Sequence, residues 1–312
     1  MRRGCLKSSK MLPKVCPLCD GSDFEHVRDE LLRCRTCRLV LDPVIWHSSA
    51  PAQLEAEWFG SSPERSKWLD VFEALNNRRT WKRLARYLRP HVSLLEVGIG
   101  SGSFLDFCAK RGLKVMGCDL SSALAKQAYE RFNVNVVVCP LEEMDSNEKY
   151  DVIIMNHILE HVSDPRALLS QAKNLLASNG IIHVAVPNIA SWGARLSGWV
   201  SYEPYHLLYF DQHTLTMALE KSGLRVMESA THESFSGWFL AILRTAVGRA
   251  RRSKAVSNGA VTAERKGSYL LRNLYRSAMA VSGILTLPLR LIQELVGTGD
   301  EIIIIAATSK IG

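Results

Sequence analysis

Apolar and polar residues follow one another in this chain with two rhythms, and the changes of rhythm mark the elements. Nearly continuous apolar runs recur at residues 94–97, 113–119, 134–139, 150–155, 181–186, 224–228 and 301–308. Runs of that length and continuity predict strands buried on both faces, the habit of a parallel sheet. Between them lie stretches with a three-to-four-residue period. One covers 103–111 and is stopped by Gly112, and a second begins at Ser121. A third is opened by Asp164-Pro165 and runs to Gly180, and a fourth is capped by Asp211 and ended by Gly223. Asp at the cap, Pro at the first helical position and Gly past the end are the expected punctuation of helices. Residues 63–88 add an amphipathic helix carrying Trp68, Val71, Phe72, Leu75, Trp81, Leu84 and Leu88, predicted to pack on the sheet just ahead of its first strand. Strand alternating with helix predicts an α/β fold.

The chemistry concentrates where the first strand meets its helix. Leu94-Leu95-Glu96-Val97-Gly98-Ile99-Gly100-Ser101-Gly102 is a strand running into three glycines spaced by single residues. Glycine admits positive φ and lets backbone approach a ligand, and the helix N-terminus behind it offers free N–H groups. A dinucleotide fingerprint G-x-G-x-x-G would place its third glycine at position 103, which is Ser. The pattern E-x-G-x-G-x-G instead resembles the first motif of class I methyltransferases dependent on S-adenosyl-L-methionine. Asp119, ending the second strand, stands where that family binds the ribose. Asn156-His157-Ile158-Leu159-Glu160-His161-Val162-Ser163-Asp164-Pro165 resembles the L-E-H-V-x-D-P segment of the subfamily containing ubiquinone-pathway and sugar methyltransferases.

The resemblance implies a Rossmann-like, seven-stranded, mostly parallel sheet with helices on both faces and an antiparallel last strand. It implies that Glu96, Gly98, Gly100 and Gly102 hold the methionine half of the cofactor. Leu141 and Glu142 stand at the adenine, although Pro140-Leu141-Glu142 departs from the family's usual Asp. Asn156 to Leu159 would line the wall beneath the methyl group. Transfer to a hydroxyl or carbon needs a base, and the candidates are His206, within a family-like P-x-H-L segment, then His157 and His161. The motif for methylating base amino groups is absent from the sequence, as is a conspicuous nucleophilic Cys.

Ahead of this domain, Cys16-x-x-Cys19 and Cys34-x-x-Cys37 form two knuckles fourteen residues apart. That spacing predicts a tetrahedral, structural zinc site on a small ribbon, with 24–27 and 31–33 as its strands. Four thiolates leave no open position for catalysis. The predicted domains are a zinc ribbon at 13–45 and a methyltransferase domain at 64–312 with an insertion at about 230–300. A tail without an apolar stretch before Cys16, and scattered Cys108, Cys118 and Cys139, point to reducing cytoplasm rather than secretion.

Net charge is +8, and its placement changes the picture. Residues 240–290 hold ten Arg or Lys against the single acid Glu264, a local +9 that leaves the rest near neutral. The largely apolar stretch from Ser277 to Leu289, thirteen residues long, is too short to span a bilayer. The insertion reads either as an anchor on the inner face of an anionic membrane or as a helical lid with a solvated basic face. The expected function is methyl transfer to a small acceptor: a saccharide, lipid-linked sugar or quinone-like molecule, as in surface-polysaccharide biosynthesis. One alternative is an rRNA methyltransferase gripping RNA through ribbon and insertion, although only Tyr269 and Tyr275 lie among the basic residues. Another is a non-catalytic cofactor-binding scaffold.

Overall fold

The computed structural model describes residues 15–28, 30–46, 67–89, 91–145, 147–203, 205–234, 237–246 and 281–308. Seven strands build the main sheet: β4 (Ser93–Val97), β5 (Lys114–Asp119), β6 (Val136–Val138), β7 (Tyr150–Asn156), β8 (Leu176–Pro187), β10 (Leu224–His232) and β11 (Glu301–Thr308). Their order is β10-β11-β8-β7-β4-β5-β6, with β11 antiparallel to both neighbours. The expected fold class is therefore observed. Period-two alternation divides the apolar runs between the two faces. Leu95, Val97, Ile153, Met155, Ile182, Val184, Ile302 and Ile304 enter one core cluster, while Leu94, Val152, Ile154, Ile181 and Ile305 enter the other.

The helices are α1 (Lys67–Leu84), α2 (Ser103–Ala109), α3 (Ser122–Phe132), α4 (Pro165–Leu175), α5 (Gln212–Lys221), α6 (Gly237–Ala246) and α7 (Leu287–Leu295). Asp164 caps α4 through Arg166 N and Ala167 N, and Asp211 forms a capping box with Thr214. Helix α4 stops short of Gly180, because the chain turns into β8 at the buried Leu176, which pairs with Tyr150. Pairing then jumps to Val152 with Ile181, so the intervening residues bulge out. Strand β6 is shorter than the apolar run 134–139, and β10 is longer than 224–228. On α1, Val71 and Leu75 stand exposed, and the helix is tied down by polar contacts. Glu73 accepts from Ser101, Asn77 donates to Ser103, and Arg83 pairs with Glu228.

The cysteine-rich segment forms β1 (Phe24–Arg28), β2 (Leu31–Cys34) and β3 (Val40–Leu41). Its sheet takes a fourth strand from far along the chain: β9 (Leu208–Tyr209) pairs antiparallel with β3. The dipeptide carries no strand signal of its own. Arg166 forms a two-pronged pair with Asp20, and Arg28 donates to the carbonyls of Ala194 and Arg195. The ribbon is thus packed into the main body, and Cys16, Leu18 and Leu41 share a core cluster with Phe210.

Most of the predicted insertion, residues 247–280, lies outside the described residues. The part that follows is inside out. Arg290 and Gln293 are buried, Gln293 bonding Trp238 and Glu233, whereas Ile284, Leu285, Leu291, Ile292 and Leu295 are more than two-fifths exposed. No helix among the described residues is long and apolar enough to cross a membrane.

Candidate active site

Strand β4 ends beside β5, and the glycine turn is built around Asp119. One carboxylate oxygen of Asp119 accepts from Ile99 N (2.9 Å) and the other from Ser121 N (2.8 Å), joining the turn after β4 to the start of α3. Gly98, Gly100 and Gly102 all have positive φ. A Cβ on Gly102 would lie 2.7 Å from the Ala128 Cβ, so packing adds to positive φ in demanding glycine there, whereas at Gly98 a Cβ would meet only the movable tip of Ile158 and the demand is the backbone's. A Cβ on Gly100 would meet nothing within 4 Å, so there the backbone faces open space, as a loop that receives a ligand must.

Glu96 lies beneath this loop, almost fully buried, and its Oε2 has no hydrogen-bond partner among the described residues. Burial, and secondarily the charge of Asp119, push its pKa up to about 8. Burial also raises Asp119, against the pull of its backbone N–H donors. An orphaned carboxylate oxygen and a second carboxylate with lone pairs to spare, beside an open glycine, are acceptors of the kind that the amino and hydroxyl groups of S-adenosylmethionine would need. Leu141 is buried in a short 3-10 turn and Glu142 is exposed beside it. Asn156 ends β7, with its Oδ1 buried and unpartnered among the described residues.

A cavity of about 260 Å³ opens at the same edge of the sheet, between α1 and the ends of β7, β8, β10 and β11. Its exposed lining is divided about evenly between polar and apolar atoms, and the polar side chains include Arg79, Asn156, His157, His183, His232 and Glu301. Of the three predicted catalytic histidines, only His157 lines it. His157 has positive φ and is held between Glu160 (3.1 Å) and Glu301 (2.9 Å). Enclosure opposes its charge, but hydrogen bonds and attraction from the two carboxylates raise its pKa well above the ordinary value. His157 is therefore an imidazolium, a donor of hydrogen bonds and not a proton acceptor. His161 and His206 sit behind it, ring centroids 4.8 Å apart. Burial lowers His206 to about 4, and its Nδ1 donates to the Ser201 carbonyl.

The periodic pattern did not single out Arg79, His183, His232, Asp300 or Glu301 as site residues. Burial lowers His183 to about 4, and burial followed by the charge of Arg79 lowers His232, so both cavity imidazoles are neutral. One signal was available: a histidine inside the apolar run 181–186 is costly unless the sheet turns it toward a polar cavity.

Cys16, Cys19, Cys34 and Cys37 meet at one point, with Cys16 and Cys37 sulfurs 3.5 Å apart and Cys19 and Cys34 likewise. Thiolates about 2.3 Å from a tetrahedral ion stand roughly 3.8 Å apart, so the cluster is of metal-binding size.

A family model described as a methyltransferase domain matches residues 68–229. The ubiquinone biosynthesis O-methyltransferase of Pasteurella multocida is 32% identical over 123 residues, covering 34% of this chain and 51% of that protein. An uncharacterized protein of Methanocaldococcus jannaschii is 28% identical over 127 residues, covering 39% and 57%. The chain spans about half the length of the curated relatives it matches. A crystal structure assigned as a sarcosine dimethylglycine methyltransferase from Galdieria sulphuraria shares the fold, with TM-score 0.52, 12% identity, and 82% and 97% of the two chains covered.

Two measurements check the cofactor half of the site. Asp119→Ala removes the carboxylate expected to meet the ribose, and calorimetry should show S-adenosylhomocysteine binding weakened by about 1.5–3 kcal/mol; unchanged affinity would refute the assignment. Glu96 is protonated at neutral pH in the free chain, and a ligand with a cationic amino group favours its carboxylate. Binding should therefore release a proton, so affinity rises with pH up to about 8 and then levels off. Glu96→Gln should flatten that profile.

Proposed function

The chain belongs to the methyltransferase domain family, and from that premise we propose that it moves a methyl group from S-adenosylmethionine to a hydroxyl of a small, polar, saccharide-like acceptor. The observation that carries this reading is the adjacency of two features at one sheet edge. The glycine loop with Glu96 and Asp119 lies next to a polar cavity, and Asn156 belongs to the border between them. Bound S-adenosylmethionine supplies an electrophilic methyl group on sulfonium sulfur.

The residues of the chain align and desolvate. Glu96 and the 98–102 loop seat the amino-acid end, Asp119 the ribose, and Leu141 and Glu142 the base. Asn156 to Leu159 form the wall between cofactor and acceptor. The His157 imidazolium, with both N–H groups given to Glu160 and Glu301, fixes those carboxylates in the wall, and the neutral His183 and His232 are the cavity imidazoles able to take up a proton. The several hydrogen-bonding side chains of the lining, Arg79, His183, His232 and Asn156 among them, favour a polyhydroxylated acceptor over a quinone, whose ring would leave those groups unpaired. The four cysteines hold a structural zinc.

The inside-out helix supports a reading of where the acceptor is met. Leucines and isoleucines of 281–296 face outward while Arg290 and Gln293 face inward, and the sequence between α6 and that helix is strongly basic. An apolar face beside concentrated positive charge suits the surface of an anionic bilayer, where lipid-linked saccharides are presented.

Methyl-labelled cofactor, offered with free saccharides, lipid-linked saccharides, phenolic quinone precursors and rRNA, tests the reaction. Label should appear in a saccharide and vanish with Asp119→Ala. Label in rRNA or a quinone precursor would replace the proposed acceptor, and binding without any transfer would make the chain a scaffold. Co-sedimentation with liposomes tests the surface. Binding to anionic vesicles should be lost on raising salt, since the attraction falls off within a Debye length of about 8 Å at physiological ionic strength. Leu285→Glu/Leu295→Glu should abolish it; absence of binding by the unmodified chain would refute it.

A further inference from the structure

Behind the cavity, three side chains from two distant segments meet. Glu160 and His161 lie in the turn after β7, and His206 lies two positions before β9. The backbone brings them together: Leu207 N (2.7 Å) and Leu208 N (3.0 Å) both donate to the Glu160 carbonyl. One ligand atom each from Glu160, His161 and His206 then lies within 4.8 Å of the others. Glu160 and His206 are buried and His161 nearly so.

The hydrogen bonds fix what each group presents. His161 Nδ1 faces the Tyr205 carbonyl at 3.3 Å, and His206 Nδ1 faces the Ser201 carbonyl at 2.8 Å. A carbonyl can only accept, so each ring carries a proton on Nδ1, and Nε2 is the nitrogen left to meet an ion. His161 Nε2 is 4.0 Å from Glu160 Oε1, beyond hydrogen-bonding range, and that oxygen already accepts from His157 Nδ1 at 3.1 Å. Glu160 Oε2 is buried and has no partner among the described residues, neither imidazole included. A buried carboxylate oxygen without a donor is costly. A cation among the three would supply the missing partner, and ring N–H groups anchored on backbone carbonyls are how metal-binding histidines are oriented.

We propose that Glu160, His161 and His206 form a second metal site, distinct from the cysteine cluster, taking a divalent transition ion of the zinc, cobalt or manganese class. Two nitrogens and one carboxylate favour such ions over calcium or magnesium. Three protein ligands leave one position open. The ion pins the segment that holds His206 to the end of β7, and so sets Ser201 in the cavity wall and β9 in the ribbon sheet. The proposal stands on this cluster alone and does not depend on the acceptor.

Metal analysis of the full chain, stripped of metal and reloaded with zinc, tests it. The unmodified chain should hold about two ions. His161→Ala/His206→Ala should hold about one while still binding S-adenosylhomocysteine, and Cys16→Ser/Cys34→Ser should also hold about one. Where the histidine variant does not fold, the cobalt-loaded unmodified chain gives the same answer by proton NMR. Two exchangeable, paramagnetically shifted imidazole N–H signals are expected, which a thiolate-only site cannot produce. One ion per chain without those signals, or two ions retained by the histidine variant, would overturn the second site.

Discussion

Both oxygens of Asp119 accept backbone N–H groups from the turns that end β4 and open α3. That pair of bonds is the constraint on which the rest depends. It closes the glycine loop over the strand ends and holds Gly100 open. It also places a second carboxylate close enough to Glu96 to help keep that residue neutral. The cofactor pocket is in this sense built under electrostatic tension. Two acids share a poorly solvated corner, and a ligand offering a cation and hydroxyl donors relieves both at once.

The neighbouring cavity uses the opposite device. Glu160 and Glu301, both enclosed, are held in the charged form because the His157 imidazolium lies between them, outweighing the cost of burial. Charge is thus fixed on the wall while the imidazoles of His183 and His232 stay neutral. Two histidine populations, one charged and one not, face a single polar space.

The sheet was legible because its signal is local. A buried parallel strand must be apolar on both faces, and the caps at Asp164 and Asp211 and the glycine loop carry their geometry in a few adjacent residues. The cysteine cluster was legible through spacing. What failed to show was long-range or too short. Leu208-Tyr209 becomes a strand only because β3 offers an edge, and no two-residue pattern reveals that. The cavity draws scattered residues from α1 and four strands, so Glu301 looked like an ordinary strand start and His232 lay beyond the apolar run 224–228. The stretch 277–289 was visibly apolar, but which side would turn inward depended on Gln293 finding Glu233 and Trp238. His206 was conspicuous in sequence, yet its loop folds it away from the cavity, against His161.

The crossing of β9 into the ribbon sheet also dictates an order of assembly. Arg28 clasps Ala194 across 166 positions of sequence, and β3 must find β9 over a similar span. Loop closure of that length has to be met before such contacts return anything, which makes them late events. The hairpin of β1 and β2 can form at once from neighbours, whereas its sheet is complete only after the large sheet has brought residues 188–210 across its edge. The ribbon precedes the large sheet in sequence, yet its residues are among the last to reach their final partners.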